Sequence, residues 1–137
     1  MYRGGWVFDD ELRCGVVHLH EVEALVPVAR MRAPLVLGAD GCPESGRRYA
    51  AVAKNARVAC YTPLYGSMPA GPAFDLATAA LILRGGRVFP SPGGVFRDFP
   101  ATVPVGGEPV DADRISCLTL AGDETYGLTT LGRVDSQ

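Results

Sequence analysis

Apolar residues in this 137-residue chain fall in short runs broken by glycine and proline, and their spacing alternates between strand-like and helical. Two segments near the N-terminus read as strands. Residues 4–9 put Trp6 and Phe8 on one face, and residues 13–19 contain CGVVHL, an apolar run too short for a helix. Residues 21–31 suit either a short helix ending near Leu25 or an extended strand, because Pro27 removes a backbone donor and disfavours helical geometry at Val26. PLVLG at 34–38 predicts a buried strand closed by a turn. Over residues 43–55, Tyr49, Val52 and Ala53, followed by Ala56, recur at helical spacing, leaving Arg47, Arg48 and Lys54 for solvent. The competing pattern pairs RRYAAVA with ARVACYT as a hairpin across Lys54 and Asn55.

The clearest pattern runs from Ala56 to Gly93. Residues 57–62 read as a strand, a Gly/Pro-rich loop follows, and residues 72–84 make the strongest helix of the chain. Pro72 fits the first helical position, where its missing N–H costs nothing. Phe74, Leu76, Ala77, Ala80, Leu81 and Leu83 cover most of the circumference, so burial on more than one side is expected and only Asp75, Thr78 and Arg84 are plainly polar. Gly85 and Gly86 stop the helix, and a second strand is expected over residues 87–89. The result is a βαβ unit, and open parallel sheets place ligands in the loops after the carboxyl ends of their strands. Residues 93–113 read as loops with an edge strand around 101–105. Residues 114–121 and 128–134 read as the last two strands, joined by a turn. The whole pattern predicts one globular domain over 1–137, α/β or α+β, with a mixed sheet, a buried helix at about 72–84 and a β-rich C-terminal third.

Composition narrows the class without naming a function. With 47% hydrophobic and 20% charged residues, the chain has the make-up of a folded globular protein. No apolar run approaches the roughly 20 residues needed to span a bilayer, and no membrane association is expected. The N-terminal segment is acidic and has no apolar core, so no secretory signal is expected and the predicted location is the cytoplasm or an assembled particle. A formal charge of −2 gives no electrostatic case for a nucleic-acid partner. Lysine occurs once, at Lys54, beside twelve arginines, a compositional bias that does not indicate phosphate binding.

Metal and cofactor signatures are weak. Cys14, Cys42, Cys60 and Cys117 lack CxxC spacing, and no cofactor is implied. His18 and His20 share a strand face, the spacing of a two-histidine metal site, but no third ligand is marked, and no metal is expected. Asp9, Asp10 and Glu11, like Asp111 and Asp113, are carboxylate clusters of the kind that solvated turns carry. GxGxxG, Walker and GxSxG motifs are absent. The richest segment is the loop at 61–72. Tyr61 and Tyr65 offer flat faces and hydroxyls, Thr62 and Ser67 small hydroxyls, and Gly66 close backbone approach, with a helix N-terminus behind them. That set suits a nucleotide, a sugar or an anion, and these five residues are the candidate ligand-binding positions. No catalytic residue is marked.

Within this unit, Pro63, Gly66, Met68, Pro72-Ala-Phe74, Gly85-Gly86 and Pro90 follow an order that resembles the opening of nucleoside 2-deoxyribosyltransferase-like domains. Residues 111–127 resemble that family's later strand and acidic, glycine-containing loop. The resemblance implies a nucleoside-binding, Rossmann-like domain acting on N-glycosidic bonds. It covers about 35 residues and carries over no catalytic residue, because the chain continues as LTTLGRV where the family has a glutamate on a helix. Two functions are therefore expected from the sequence. One is a non-enzymatic assembly or interaction protein, such as a self-associating virion or shell component. The other is a small-molecule-binding α/β domain using loop 62–71.

Overall fold

The computed structural model describes residues 14–21, 33–94, 103–120 and 125–133, with side chains described for 33–94, 105–120 and 126–133. A single six-stranded sheet organises them, in the order β1-β6-β5-β2-β3-β4. Its strands are β1 (Cys14–Glu21), β2 (Leu35–Leu37), β3 (Arg57–Cys60), β4 (Val103–Pro104), β5 (Arg114–Leu120) and β6 (Thr125–Gly132). Strands β5, β2, β3 and β4 run parallel, whereas β6 is antiparallel to both β5 and β1. The fold is α/β.

Parallel strands buried on both faces read as continuous apolar runs, and alternate residues of these strands feed two cores. Leu35, Leu37, Val58, Cys60 and Leu118 pack with Tyr49 of α1 (Pro43–Val52) and Ala53 at its C-cap. Val36, Ala59, Ile115 and Cys117 pack on the other face with Ala79 and Ile82 of α3 (Gly71–Gly85). Ile82 is 1% exposed, a burial worth about 2–3 kcal/mol on its own. The helical pattern over 43–55 therefore prevails over the hairpin, and Asn55, at φ 64°, takes the left-handed conformation that turns the chain into β3.

The strongest expected helix is present as α3. Gly86 ends it at φ 67°, donating its N–H to Ile82 O at 2.8 Å. Beyond Gly86 the chain departs from the expected βαβ unit. Residues 87–89 form no strand; Arg87 makes only an isolated antiparallel bridge to Pro109, with Val88 N–H donating to Glu108 O. The strand that pairs parallel with β3 is β4, inside the expected edge segment 101–105. Pro90 and Pro92 cannot donate to a ladder, which disfavours a strand here. Thr62 also leaves its expected strand and opens a single helical turn, α2 (Thr62–Tyr65). The expected strand at 4–9 and residues 22–31 of the ambiguous segment lie outside the described residues.

Candidate ligand cleft

Gly38, just beyond β2, donates its N–H to Leu118 O of β5 at 2.9 Å, so the two strands end side by side. From β2 the chain departs to β3 on one side, while β5 lies on the other. Strand order thus reverses between β2 and β5, the position at which open α/β sheets bind ligands. A cleft of about 300 Å³ lies there. Gly38, Thr119 and Leu120 contribute from the strand ends, Asp40, Ser45 and Tyr49 from α1 and the turn before it. Thr62, Ser67, Pro72 and Asp75 contribute from α2, α3 and the loop between them.

Asp75 is the unusual member. It is 1% exposed, on the otherwise apolar inner face of α3. The Tyr65 hydroxyl donates to Asp75 Oδ1. Burial raises the Asp75 pKa, hydrogen bonding from Tyr65 pulls it back, and the balance leaves it near 6. Thr62 lies close enough to ease the carboxyl, yet its buried Oγ1 has no partner at hydrogen-bonding geometry. Across the cleft, the Tyr49 hydroxyl accepts the Leu120 N–H at 2.7 Å.

Asp40 is a carboxylate of the opposite kind. Burial would raise its pKa, but Cys42 N–H at 3.0 Å and the Ser45 hydroxyl at 2.7 Å outweigh that and hold it below the usual value. Two carboxylates therefore line the cleft, and among the described residues it has no lysine, arginine or histidine in its lining. The N-terminus of α3 adds little for an anion. Gly71 N–H is bonded to Met68 O, Ala73 N–H to Ala70 O, and Pro72 has none.

The five sequence-marked positions separate. Thr62 and Ser67 line the cleft. Tyr61 is buried, its hydroxyl bound to Phe89 O at 2.7 Å. Tyr65 stacks on Phe74 at 5.1 Å and reaches the cleft only through Asp75. Gly66 ends α2 at φ 84°. Gly38, Asp40, Tyr49, Asp75 and Thr119 carry no ligand-binding mark in the sequence. Asp75 had a usable signal: it shares the i, i+4, i+7, i+8 stripe of Ala79, Ile82 and Leu83, the residues of α3 that face the core.

The described thiols do not serve the cleft. Burial pushes Cys60 up to about 12, and its Sγ donates to Ala39 O at 2.8 Å. Burial raises Cys117 as well. Among the described residues no group of histidine, cysteine and carboxylate side chains is arranged to hold a metal ion, and no helix is long and apolar enough to cross a membrane.

No protein-family model matches the chain, and no curated protein matches it. Among solved structures it is similar to ketosynthase twelve from the bacillaene polyketide synthase of Bacillus amyloliquefaciens, with a TM-score of 0.57 and 10% identity over 92% of this chain. The chain spans 30% of that ketosynthase's length. At this identity the likeness is one of fold, and it agrees with the α/β architecture.

Proposed function

We propose that the protein binds a small, non-anionic molecule bearing hydroxyl or amino groups, of sugar or nucleoside size, in the cleft beyond β2 and β5. One observation carries the reading. Polar groups from five separate segments (Asp40, Tyr49, Thr62, Asp75 and Thr119) converge where the topology favours a ligand, and Thr62 Oγ1 among them is buried without a partner. Buried polar groups are nearly always satisfied, so an orphan in a cleft argues for a missing donor or acceptor. A volume of about 300 Å³ suits a molecule of that size.

The charge pattern narrows the sequence expectation. Two carboxylates and a helix end whose first donors are occupied oppose phosphate, so a nucleoside fits better than a nucleotide. The nucleoside class implied by the transferase resemblance remains within the proposal. The test is amide NMR of the protein titrated with glucose, adenosine and AMP. Shifts clustered at Gly38, Thr62, Ser67, Asp75 and Thr119 with glucose or adenosine, and none with AMP, are expected. Absence of any response at those positions would sink the reading.

Self-association within an assembly is a second reading, favoured by one feature. Phe74 and Leu81 lie seven residues apart on the outer face of α3, 47% and 53% exposed, and Leu64 of α2 is 68% exposed. Exposed large apolar side chains on one helix face are the kind of feature an interaction surface presents. Light scattering should give a dimer or larger mass that Leu81→Asp reduces to monomer, and a monomeric parent protein would exclude it.

A further inference from the structure

We propose that the cleft selects a ligand carrying a protonated amine, seated over Gly38 between Asp75, Thr119 and Tyr49. The inference rests on the ligand-binding reading and deepens it.

Gly38 is the first support. Its φ does not lie in the left-handed region, so the backbone does not demand glycine there. A side chain is excluded instead by polar atoms that close on the Gly38 Cα. A Cβ at Gly38 would stand 3.1 Å from Tyr49 OH, 3.2 Å from Asp75 Oδ2 and 3.2 Å from Thr119 Oγ1. Three oxygens from three elements thus converge beside the Gly38 Cα at the mouth of β2, in the wall of the cleft. An ammonium has three N–H donors and no acceptor, and oxygens are the partners it needs. Tyr49 already accepts the Leu120 N–H, which leaves its second lone pair for the ligand.

Charge is the second support. A buried carboxylate is ordinarily paired, because an isolated buried charge is costly. Among the described residues, the titratable groups set against Asp75 are Tyr49 from α1, Asp40 after β2, Cys60 from β3, Tyr65 from α2 and Cys117 from β5, and none of these is a cation. Tyr65 occupies Oδ1, whereas Oδ2 is the oxygen beside Gly38 in the cleft wall. A neutral hydroxyl would supply a hydrogen bond and leave the charge; an ammonium supplies both. Thr62 Oγ1, buried beside the same carboxyl without a partner at hydrogen-bonding geometry, is a further sign that a ligand completes this cleft.

Calorimetric titration at pH 7 with glucosamine, glucose and glucuronate compares cation, neutral molecule and anion on one scaffold. Glucosamine should bind at least about tenfold tighter than glucose, and glucuronate should not bind. Asp75→Asn, with its fold checked by thermal unfolding, should weaken glucosamine at least about fivefold more than it weakens glucose, which erases the preference. Thr119→Val should weaken glucosamine more than glucose. Equal binding of glucose and glucosamine, or a preference that survives Asp75→Asn, overturns the ammonium assignment while leaving the ligand-binding reading in place. Failure of all three sugars to bind the parent protein overturns the ammonium assignment, and failure of adenosine as well overturns both.

Discussion

The Tyr65 hydroxyl donates a hydrogen bond to the Asp75 carboxyl, tying the single turn of α2 to the second turn of α3. Through that bond the loop at 66–70 is held between two anchored helices, and the carboxyl is presented to the cleft with one oxygen already engaged.

Asp75 should make the protein less stable as pH rises. Folding raises its pKa from 3.8 to about 6, so between those values the native state binds more protons than the unfolded chain. Stability from this group is therefore full below about pH 4, falls through pH 6 and stays low above it, by up to about 3 kcal/mol. Asp40, whose pKa is lowered, works in the opposite direction and loses its contribution as pH falls. Asp75→Asn isolates the first effect. Urea unfolding from pH 4 to 8 should show the variant gaining on the parent protein across pH 4–6 and remaining more stable at pH 7.

Tyr65→Phe should push the Asp75 pKa above its present value near 6, because the hydroxyl favours the ionised carboxyl. Carbon-13 NMR of the Asp75 carboxyl reads the shift directly. The stability loss should be about 1–3 kcal/mol at pH 8 and smaller at pH 4, where the carboxyl is protonated.

Removal of the Tyr49 hydroxyl should act on the other side of the cleft. Tyr49→Phe leaves the Leu120 N–H without its acceptor, at a cost of about 1–3 kcal/mol. Hydrogen exchange at Leu120 should accelerate, whereas exchange at Val36 in the centre of the sheet should change only as far as global stability does.

Thiol labelling should follow burial. Cys42 is exposed, whereas Cys60 and Cys117 are buried and hydrogen-bonded to backbone carbonyls. With peptide mapping of the products, Cys42 should react with a thiol reagent in the native protein, and Cys60 and Cys117 only after unfolding.

Sequence pattern captured elements whose evidence is local. The helix at 71–85 is bounded by Pro72 and Gly86 and needs no distant contact to be recognised. The apolar runs of β2, β3 and β5 are continuous because both sheet faces are covered. The expected strand at 87–89 failed because strand identity depends on a partner: Val88 meets Glu108 outside the sheet, and the edge beside β3 goes to Val103 and Pro104.

For the candidate site, residue chemistry alone pointed to a loop, and the loop contributes Thr62 and Ser67 to the cleft. Tyrosines that looked available were already engaged, Tyr61 with Phe89 and Tyr65 with Asp75. By itself the sequence determined the alternation of strands and helices, because periodicity and Gly/Pro punctuation act over a few residues. Only the tertiary structure decided that Gly38, Tyr49, Asp75 and Thr119 meet, because strand order brings β2 beside β5 across 76 intervening residues, 38–113. A polar residue on an apolar helix face becomes a site only when the sheet sets other polar groups against it.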